Sequence, residues 1–199
     1  KDPVKTPKPP APLRRRLLAT AAGAALSARA SAQSAGPGAR AGEAAVAVKA
    51  VDVARGLEHP WGLAFLPDGR LLVTERAGQL RVVCRDGRLS APLTGVPRVV
   101  ARGQGGLLDV ALSPSFEADR QVYLSFAEPA DGGARTAVAR ATLTDEGLRE
   151  TTVIFRQKQA RAGANHFGSR LVLTRDGHLF ITMGDRYDAR DQVQDLGTH

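Results

Sequence analysis

The sequence predicts an all-β fold from about residue 46 onward, and three observations support this prediction. Short runs rich in β-branched and aromatic residues alternate with turns rich in Gly, Pro and Asp. No stretch of about ten residues or more keeps the periodicity of an amphipathic helix. A layout of strand, turn and strand recurs along the chain. The predicted strands occupy residues 46–53, 62–66, 70–75, 79–85, 106–112, 120–126, 135–143, 150–155, 169–174 and 178–183.

The recurring layout indicates a β-propeller. Residues 65–74 and 173–182 share an apolar run, an Asp-Gly turn and a second apolar run that ends in Thr74 or Thr182. Ser125 holds the corresponding position between them, after a longer loop. Repeats of about 50 residues built from short antiparallel strands are typical of propeller blades, and an irregular β-sandwich is the alternative. Because propellers close with about four to eight blades, a chain with roughly three is expected to be an N-terminal fragment.

The leader, residues 1–32, has the order of an export signal. Three arginines at 14–16 precede an apolar run at 17–26, and the small residues at 30–32 resemble a cleavage site. An ordinary N-terminal amphipathic helix is the alternative. The arginines also fit a twin-arginine signal, so the twin-arginine and general export routes both remain open. The small residues at 33–45 predict a flexible linker. We therefore expect a periplasmic or secreted protein, and no stretch predicts a membrane span.

Charge is concentrated in the leader. The chain has a formal net charge of +8, and residues 1–40 hold eight basic residues against one acidic residue. The remaining 159 residues carry 20 basic and 19 acidic groups, a net charge of +1. A nucleic-acid-binding domain needs a basic face on its folded part. The composition therefore argues against a nucleic-acid partner.

A predicted hairpin brings a histidine and an aspartate together. If Asp176 and Gly177 form a two-residue turn, Gly168 lies opposite Asp185, and His166 follows on the same side of the pleat. An imidazole can take a proton from a hydroxyl near neutral pH, and a neighbouring carboxylate fixes its tautomer. We therefore expect His166 and Asp185 to form the reactive centre of the protein. The alternative for His166 is a loop histidine bonded to a carbonyl.

Other candidate positions are weaker. Gln104 lies in a glycine-rich stretch, 103–106, where the backbone could approach a ligand closely, and a plain glycine-rich loop is the alternative. This stretch lacks the glycine spacing of a dinucleotide fingerprint. His59 and His178 have no evident carboxylate partner and are interpreted as loop and turn residues. The acidic residues that follow Gly184 lack the order of a calcium loop and favour a solvated loop.

Several motifs, taken in order over residues 57–197, resemble the glucose/sorbosone dehydrogenase family of soluble quinoprotein aldose dehydrogenases. They are HPWGLAF at 59–65, LVTER at 72–76, GQGGLLD at 103–109, NHFGSRL at 165–171, and GD at 184–185 with QDL at 194–196. Any one of these motifs is weak evidence alone. The ordered set is specific.

The resemblance implies a six-bladed β-propeller, of which this chain covers roughly the first three blades. It implies hydride transfer from the C1 hydroxyl of an aldose to pyrroloquinoline quinone (PQQ), which gives the lactone, with Ca²⁺ as a second cofactor. His166 matches the general base, Asp185 matches the carboxylate behind it, and Gln104 and Gln194 match glutamines beside substrate and cofactor. An external electron acceptor is the expected partner.

The resemblance also places the cofactor-clamping residues and calcium ligands beyond His199, so the fragment alone is expected to be inactive. A non-catalytic propeller that binds carbohydrate or protein is the alternative function. A metal-dependent lactonase would need a cluster of Glu, Asn and Asp ligands, and none stands out in the sequence.

Overall fold

The structure is a computed structural model that describes residues 48–198. The predicted signal (1–32) and linker (33–45) lie outside the described residues. Within those residues, no helix is long and apolar enough to cross a membrane. The strands are β1 (Pro60–Phe65), β2 (Leu71–Glu75), β3 (Gln79–Val83), β4 (Leu107–Leu112), β5 (Gln121–Ala130), β6 (Gly133–Leu143), β7 (Leu148–Arg156), β8 (Gly168–Leu173) and β9 (Leu179–Met183).

The strands form three successive antiparallel sheets. Their orders are β1-β2-β3, β4-β5-β6-β7 and β8-β9. The first strand of each sheet packs against the first strand of the next, β1 on β4 and β4 on β8. Short helical turns lie in the connections, at Phe116–Asp119 and, as 3-10 turns, at Arg190–Gln192 and Leu196–Thr198. Consecutive meandering sheets that meet through their first strands have the arrangement of propeller blades.

Apolar side chains fill the space between the sheets. The main cluster joins the first two sheets, and a smaller one lies below the loops that lead into β4 and β8. The smaller cluster contains Leu108, Ala127, Ala134 and Phe167, with Trp61 packed against it. This smaller cluster supports those loops through apolar contacts. Members of the main cluster include Leu72, Leu80, Leu107, Val122, Leu124 and Phe126.

A buried hydroxyl joins the first sheet to the second. Thr74 Oγ1 accepts the N–H of Gly62 at 2.9 Å, within its own sheet, and donates to the carbonyl of Leu108 at 2.5 Å on β4. Thr74 is fully buried, so water cannot replace either hydrogen bond. The hydroxyl therefore serves as a fixed connection between neighbouring sheets.

The same connection recurs one sheet further on. Ser125 Oγ accepts the N–H of Asp109 at 2.9 Å and donates to the carbonyl of Ser169 at 2.6 Å on β8. Thr182 Oγ1 accepts the N–H of Arg170 at 2.9 Å and completes the series. The recurring hydroxyl in the sequence thus marks equivalent positions in three sheets.

One predicted strand is wrong. Residues 48–53, which cover most of the strand predicted at 46–53, contain no strand. The valines that suggested it, Val48, Val51 and Val53, are exposed. The apolar alternation is present, but no described strand pairs with this segment.

The hairpin loop between β8 and β9 has three residues rather than two. Thr174 donates its N–H to the carbonyl of His178 at 2.9 Å, so these two residues are opposite each other and 175–177 form the loop. Gly177 adopts a φ of +91°, as expected of glycine at the end of a three-residue hairpin loop. The predicted pairing of Arg175 with His178 is therefore wrong by one residue.

A second irregularity shifts the pairing again. The register of β8 and β9 changes between Gly168 and Leu171, where Ser169 has a φ of +86°. As a result Gly168 pairs with Met183 rather than with Asp185. Side chains alternate between faces with a period of two, so two one-residue shifts in the same direction restore the predicted face.

Candidate active site

The structure brings His166 and Asp185 together. His166 lies just before β8 and Asp185 just after β9, and His166 Nδ1 is 2.6 Å from Asp185 Oδ1. The two chain segments cross closely at Gly184, where a Cβ atom would lie 2.1 Å from the carbonyl oxygen of His166. Arg186 donates its N–H to that same oxygen at 3.2 Å. A glycine at this crossing is therefore a condition for the contact between imidazole and carboxylate.

The charge state of Asp185 determines the tautomer of His166. The pKa of Asp185 is lowered chiefly by the N–H of Tyr187, which donates to Oδ1 at 2.9 Å, and secondarily by the hydrogen bond with His166. An ionised carboxylate only accepts hydrogen bonds, so Nδ1 must carry the proton. Nε2 then has a free lone pair, and no described residue donates to it.

A groove of about 210 Å³ lies beside the imidazole. A larger hollow of about 510 Å³ next to β9 is lined by Phe155, Leu179, Ile181 and Met183 and by no titratable side chain, so it offers no acid or base. The groove beside His166 is the better candidate for chemistry. Its lining includes Trp61, Arg76, Gln104, His166, Phe167 and Gly168.

Gln104 holds the histidine from the neighbouring loop. Its Oε1 accepts the N–H of His166 at 2.8 Å, so its amide NH₂ remains available as a donor at the groove. The glycines on either side allow close packing against the chain itself. A Cβ at Gly103 would lie 2.7 Å from the carbonyl of Ala164, and one at Gly106 would lie 2.0 Å from the carbonyl of Arg76.

The side chains of Gln194 and His178 do not line the groove. Gln194 is exposed in the turn after Arg190–Gln192 and does not line the groove, so its role stays a prediction. His178 does have a carboxylate partner, contrary to expectation, because its Nδ1 lies 3.1 Å from Asp176 Oδ2. Both side chains are about 70% exposed on the hairpin loop. This second pair therefore lacks a groove in which a substrate could be held.

Arg76 and Trp61 border the groove, although neither was predicted to lie in a functional site. Arg76 donates from Nη1 to the carbonyl of Gly103 at 2.6 Å, while its buried Nε has no acceptor. Trp61, which packs against the smaller apolar cluster, also lies 4.6 Å beneath the guanidinium of Arg170, which in turn bonds Asp109 at 2.8 Å. Arg186, directly after Asp185, was also missed by sequence reasoning and is buried beside the pair.

Among residues 48–198, no group of three or more His, Cys, Asp and Glu side chains is placed to hold a metal ion. Calcium therefore stays a prediction from the resemblance. The basic side chains that line the groove are the imidazole of His166 and the guanidinium of Arg76.

Meandering sheets that meet through their first strands, with an imidazole just before β8 and its carboxylate partner just after β9, define a chain of the β-propeller class. The chain belongs to the glucose/sorbosone dehydrogenase family, whose sequence model matches residues 57–199. The all-β, six-bladed propeller fold class is thereby confirmed, with this chain covering roughly the first three blades, and the β-sandwich alternative is excluded.

Curated relatives and solved structures agree with this assignment. The chain is 48% identical over 144 residues to aldose sugar dehydrogenase YliI of Escherichia coli (strain K12), covering 70% of this chain and 38% of YliI. The crystal structure of the soluble aldose sugar dehydrogenase from Escherichia coli in the apo form matches with a TM-score of 0.68 and 46% identity, covering 71% of this chain and 42% of that one.

A third similar protein is the PQQ-bound aldose sugar dehydrogenase from Streptomyces coelicolor. Its structure matches with a TM-score of 0.60 and 35% identity, over 67% of this chain and 40% of that one. The chain thus spans about two fifths of the length of these relatives.

Proposed function

We propose that the protein containing this chain is a PQQ-dependent aldose dehydrogenase that oxidises the C1 hydroxyl of a sugar to the lactone. The observation that carries the proposal is the 2.6 Å contact between His166 and Asp185, which leaves Nε2 as a free base beside the groove. Membership of the family and the names of its relatives agree with a sugar oxidoreductase.

In this proposal, His166 accepts the hydroxyl proton at Nε2 while the hydride leaves C1, so the C1–O bond becomes a carbonyl. Asp185 stabilises the imidazolium that forms and holds the ring in its orientation. PQQ, when bound, supplies the acceptor for the hydride and its two electrons. An external acceptor then removes these electrons from the protein.

The residues of the groove fit a planar, anionic cofactor. Arg76 has a buried Nε that lacks an acceptor, and Gln104 has an unused amide NH₂. Both are donors for carbonyl or carboxylate oxygens. We propose that Arg76 and Gln104 contact the cofactor or substrate, and that Gln194 and a Ca²⁺ ion contribute as the family resemblance implies.

Replacement of the proposed base tests the function. His166→Ala in the whole protein, supplied with PQQ and Ca²⁺, is expected to lower turnover of aldoses by about two to four orders of magnitude, because the hydroxyl proton loses its acceptor. Reduction of a dye measures turnover. The matched control is His178→Ala, which removes a histidine that is also paired with an aspartate but lies outside the groove.

Unchanged turnover in His166→Ala would remove this residue from the mechanism. Sugar binding without dye reduction in the wild-type protein would favour the alternative, a non-catalytic propeller that binds carbohydrate or protein. We further propose that residues 1–199 alone are inactive, since they span 38% of the length of YliI. Dye reduction by the isolated chain would contradict that part.

We also propose that the protein is exported to the periplasm or secreted. The support is the order of arginines, apolar run and small residues within positions 1–32. Export of this kind would place the site where external sugars and acceptors have access.

A further inference from the structure

Arg186 is a buried arginine that forms no ion pair with a carboxylate in the described part of the chain. It is 1% exposed, and within residues 48–198 its guanidinium forms no ion pair. Burial lowers its pKa below the ordinary value for arginine. Buried arginines are normally paired with carboxylates, because an uncompensated charge is costly to remove from water. The carboxylate of Asp188 offsets part of this cost, because it acts to raise the same pKa, and the remainder is retained directly after Asp185.

The guanidinium donates to three backbone carbonyls. Nε donates to Asn165 at 3.1 Å, Nη1 to Ala134 at 3.0 Å and Nη2 to Gly163 at 2.6 Å. Its flat face lies 3.8 Å from the centre of the Phe167 ring. These contacts tie β6, which contains Ala134, to the segment that precedes β8.

That segment is the one that carries His166. Residues 157–167 connect β7 to β8 and contain no helix or strand. Backbone hydrogen bonds hold part of this segment, between Arg161 and Ala134 on β6 and from the N–H of Gln104 to the carbonyl of Ala164, and side-chain contacts hold the rest. Asn165 and Gly163, which lie on this segment, both bond Arg186, and so its contacts hold the backbone on the N-terminal side of the imidazole.

Arg186 also fixes the other member of the pair. Its own N–H donates to the carbonyl of His166 at 3.2 Å, and its φ of +53° is a left-handed conformation that costs energy for a residue other than glycine. Directly after this bend, the N–H of Tyr187 donates to Asp185 Oδ1 at 2.9 Å, which holds the carboxylate in place. One residue therefore constrains both the segment that carries the base and the segment that carries its carboxylate.

We propose that Arg186 is a positioning residue: its three-carbonyl contact sets the distance and orientation between His166 and Asp185. The effect on turnover rests on the proposed dehydrogenase function, while the effect on the imidazole does not. Lysine cannot substitute, because a single ammonium lacks the planar fork that reaches three carbonyls and lies on the Phe167 ring.

The test measures the tautomer of His166 and turnover in the same variants of the whole protein. Long-range ¹H–¹⁵N NMR correlations of the histidine ring report which nitrogen carries the proton. The wild type is expected to show the proton on Nδ1. Arg186→Ala and Arg186→Lys are expected to show a mixture of tautomers, with kcat lower on the order of 10²-fold, the effect of about 1 Å of misplacement.

Two controls separate positioning from stability. Leu124→Ala, in the main apolar cluster, lowers the Tm but should leave the tautomer and the kcat of the folded protein unchanged. Arg135→Ala removes a half-buried arginine that bonds Glu128. This variant should also leave the tautomer of His166 and the kcat of the folded protein unchanged. Added guanidinium ion should partly restore kcat to Arg186→Ala, as expected if the missing group is the fork itself.

The outcomes are distinct. A folded Arg186→Lys protein with the wild-type tautomer and kcat within about twofold overturns the proposal, and so does a wild-type ring protonated on Nε2. If Arg186→Ala does not fold, the lysine variant decides. If the tautomer changes as expected but the wild type oxidises no aldose, the positioning role stands and the proposed function fails.

Discussion

The lowered pKa of Asp185 comes more from a backbone group than from the neighbouring imidazole. The N–H of Tyr187 is the largest cause of its lowered pKa, and the imidazole of His166 comes second. The carboxylate therefore stays charged even when the imidazole is neutral. This is the state required before a proton is taken from a substrate.

Neutralising this carboxylate tests its contribution. Asp185→Asn is expected to lower turnover on the order of 10²-fold, since a neutral amide neither stabilises the imidazolium nor selects the tautomer of His166. The comparison variant is Asp176→Asn, in the exposed pair of the hairpin loop, which should retain wild-type turnover. Wild-type turnover in Asp185→Asn as well would show that the charge at residue 185 is not needed.

The pH dependence follows from the direction of the shift. A carboxylate with a lowered folded-state pKa gives stability above the ordinary value of 3.8, and this stability is lost only as pH falls through the lower folded-state value. Asp185 is thus ionised over the range in which an imidazole titrates, about pH 5 to 8. The acid limb of kcat against pH should accordingly show one proton, and a two-proton limb would contradict this assignment.

Sequence reasoning found the residues with reactive side chains but not those that support them. His166, Asp185 and Gln104 could be named because an imidazole, a carboxylate and an amide among glycines suggest chemistry. Arg186 could not, since arginine is normally exposed and its burial depends on carbonyls from β6 and from the segment before β8. Its position directly after Asp185 was the only available signal.

At the scale of strands, hydroxyls in the middle of β2 and β5 connect successive sheets. Thr74→Val keeps the shape of the side chain but leaves the N–H of Gly62 and the carbonyl of Leu108 without partners. The expected loss is about 1–3 kcal/mol in the free energy of unfolding, measured by denaturant titration. Thr152→Val on β7 is the control and should cost little, because Thr152 is exposed. Equal losses would refute the inter-sheet role.

The strands themselves were largely predictable, because alternation and turn residues act locally. The register of the β8–β9 hairpin was not. An Asp-Gly pair fits both a two-residue turn and the end of a three-residue loop, and only the pairing of Thr174 with His178 separates them. The shift near Ser169 depends on its hydrogen bond with Ser125 in another sheet, which local sequence does not specify.

At the scale of the whole molecule, charge is divided between the leader and the folded part. Deletion of residues 1–32 is expected to leave the protein in the cytoplasm, because the proposed export signal is removed. Cell fractionation measures the distribution. Replacement of Arg14, Arg15 and Arg16 by lysine distinguishes the two export routes, since only the twin-arginine route requires arginines and would be blocked. The control variant replaces Arg29 and Arg40 by lysine. Export of the deletion variant would contradict the signal.

The hydroxyl connections have a direction along the chain. In both, the donor belongs to the earlier sheet and the accepting carbonyl to the later one, from Thr74 to Leu108 and from Ser125 to Ser169. A ribosome releases the N-terminal part first. Each nascent sheet consequently presents its donor before the acceptor has been synthesised, and the next segment to emerge completes the bond. The direction of these hydrogen bonds therefore follows the order of synthesis along the chain.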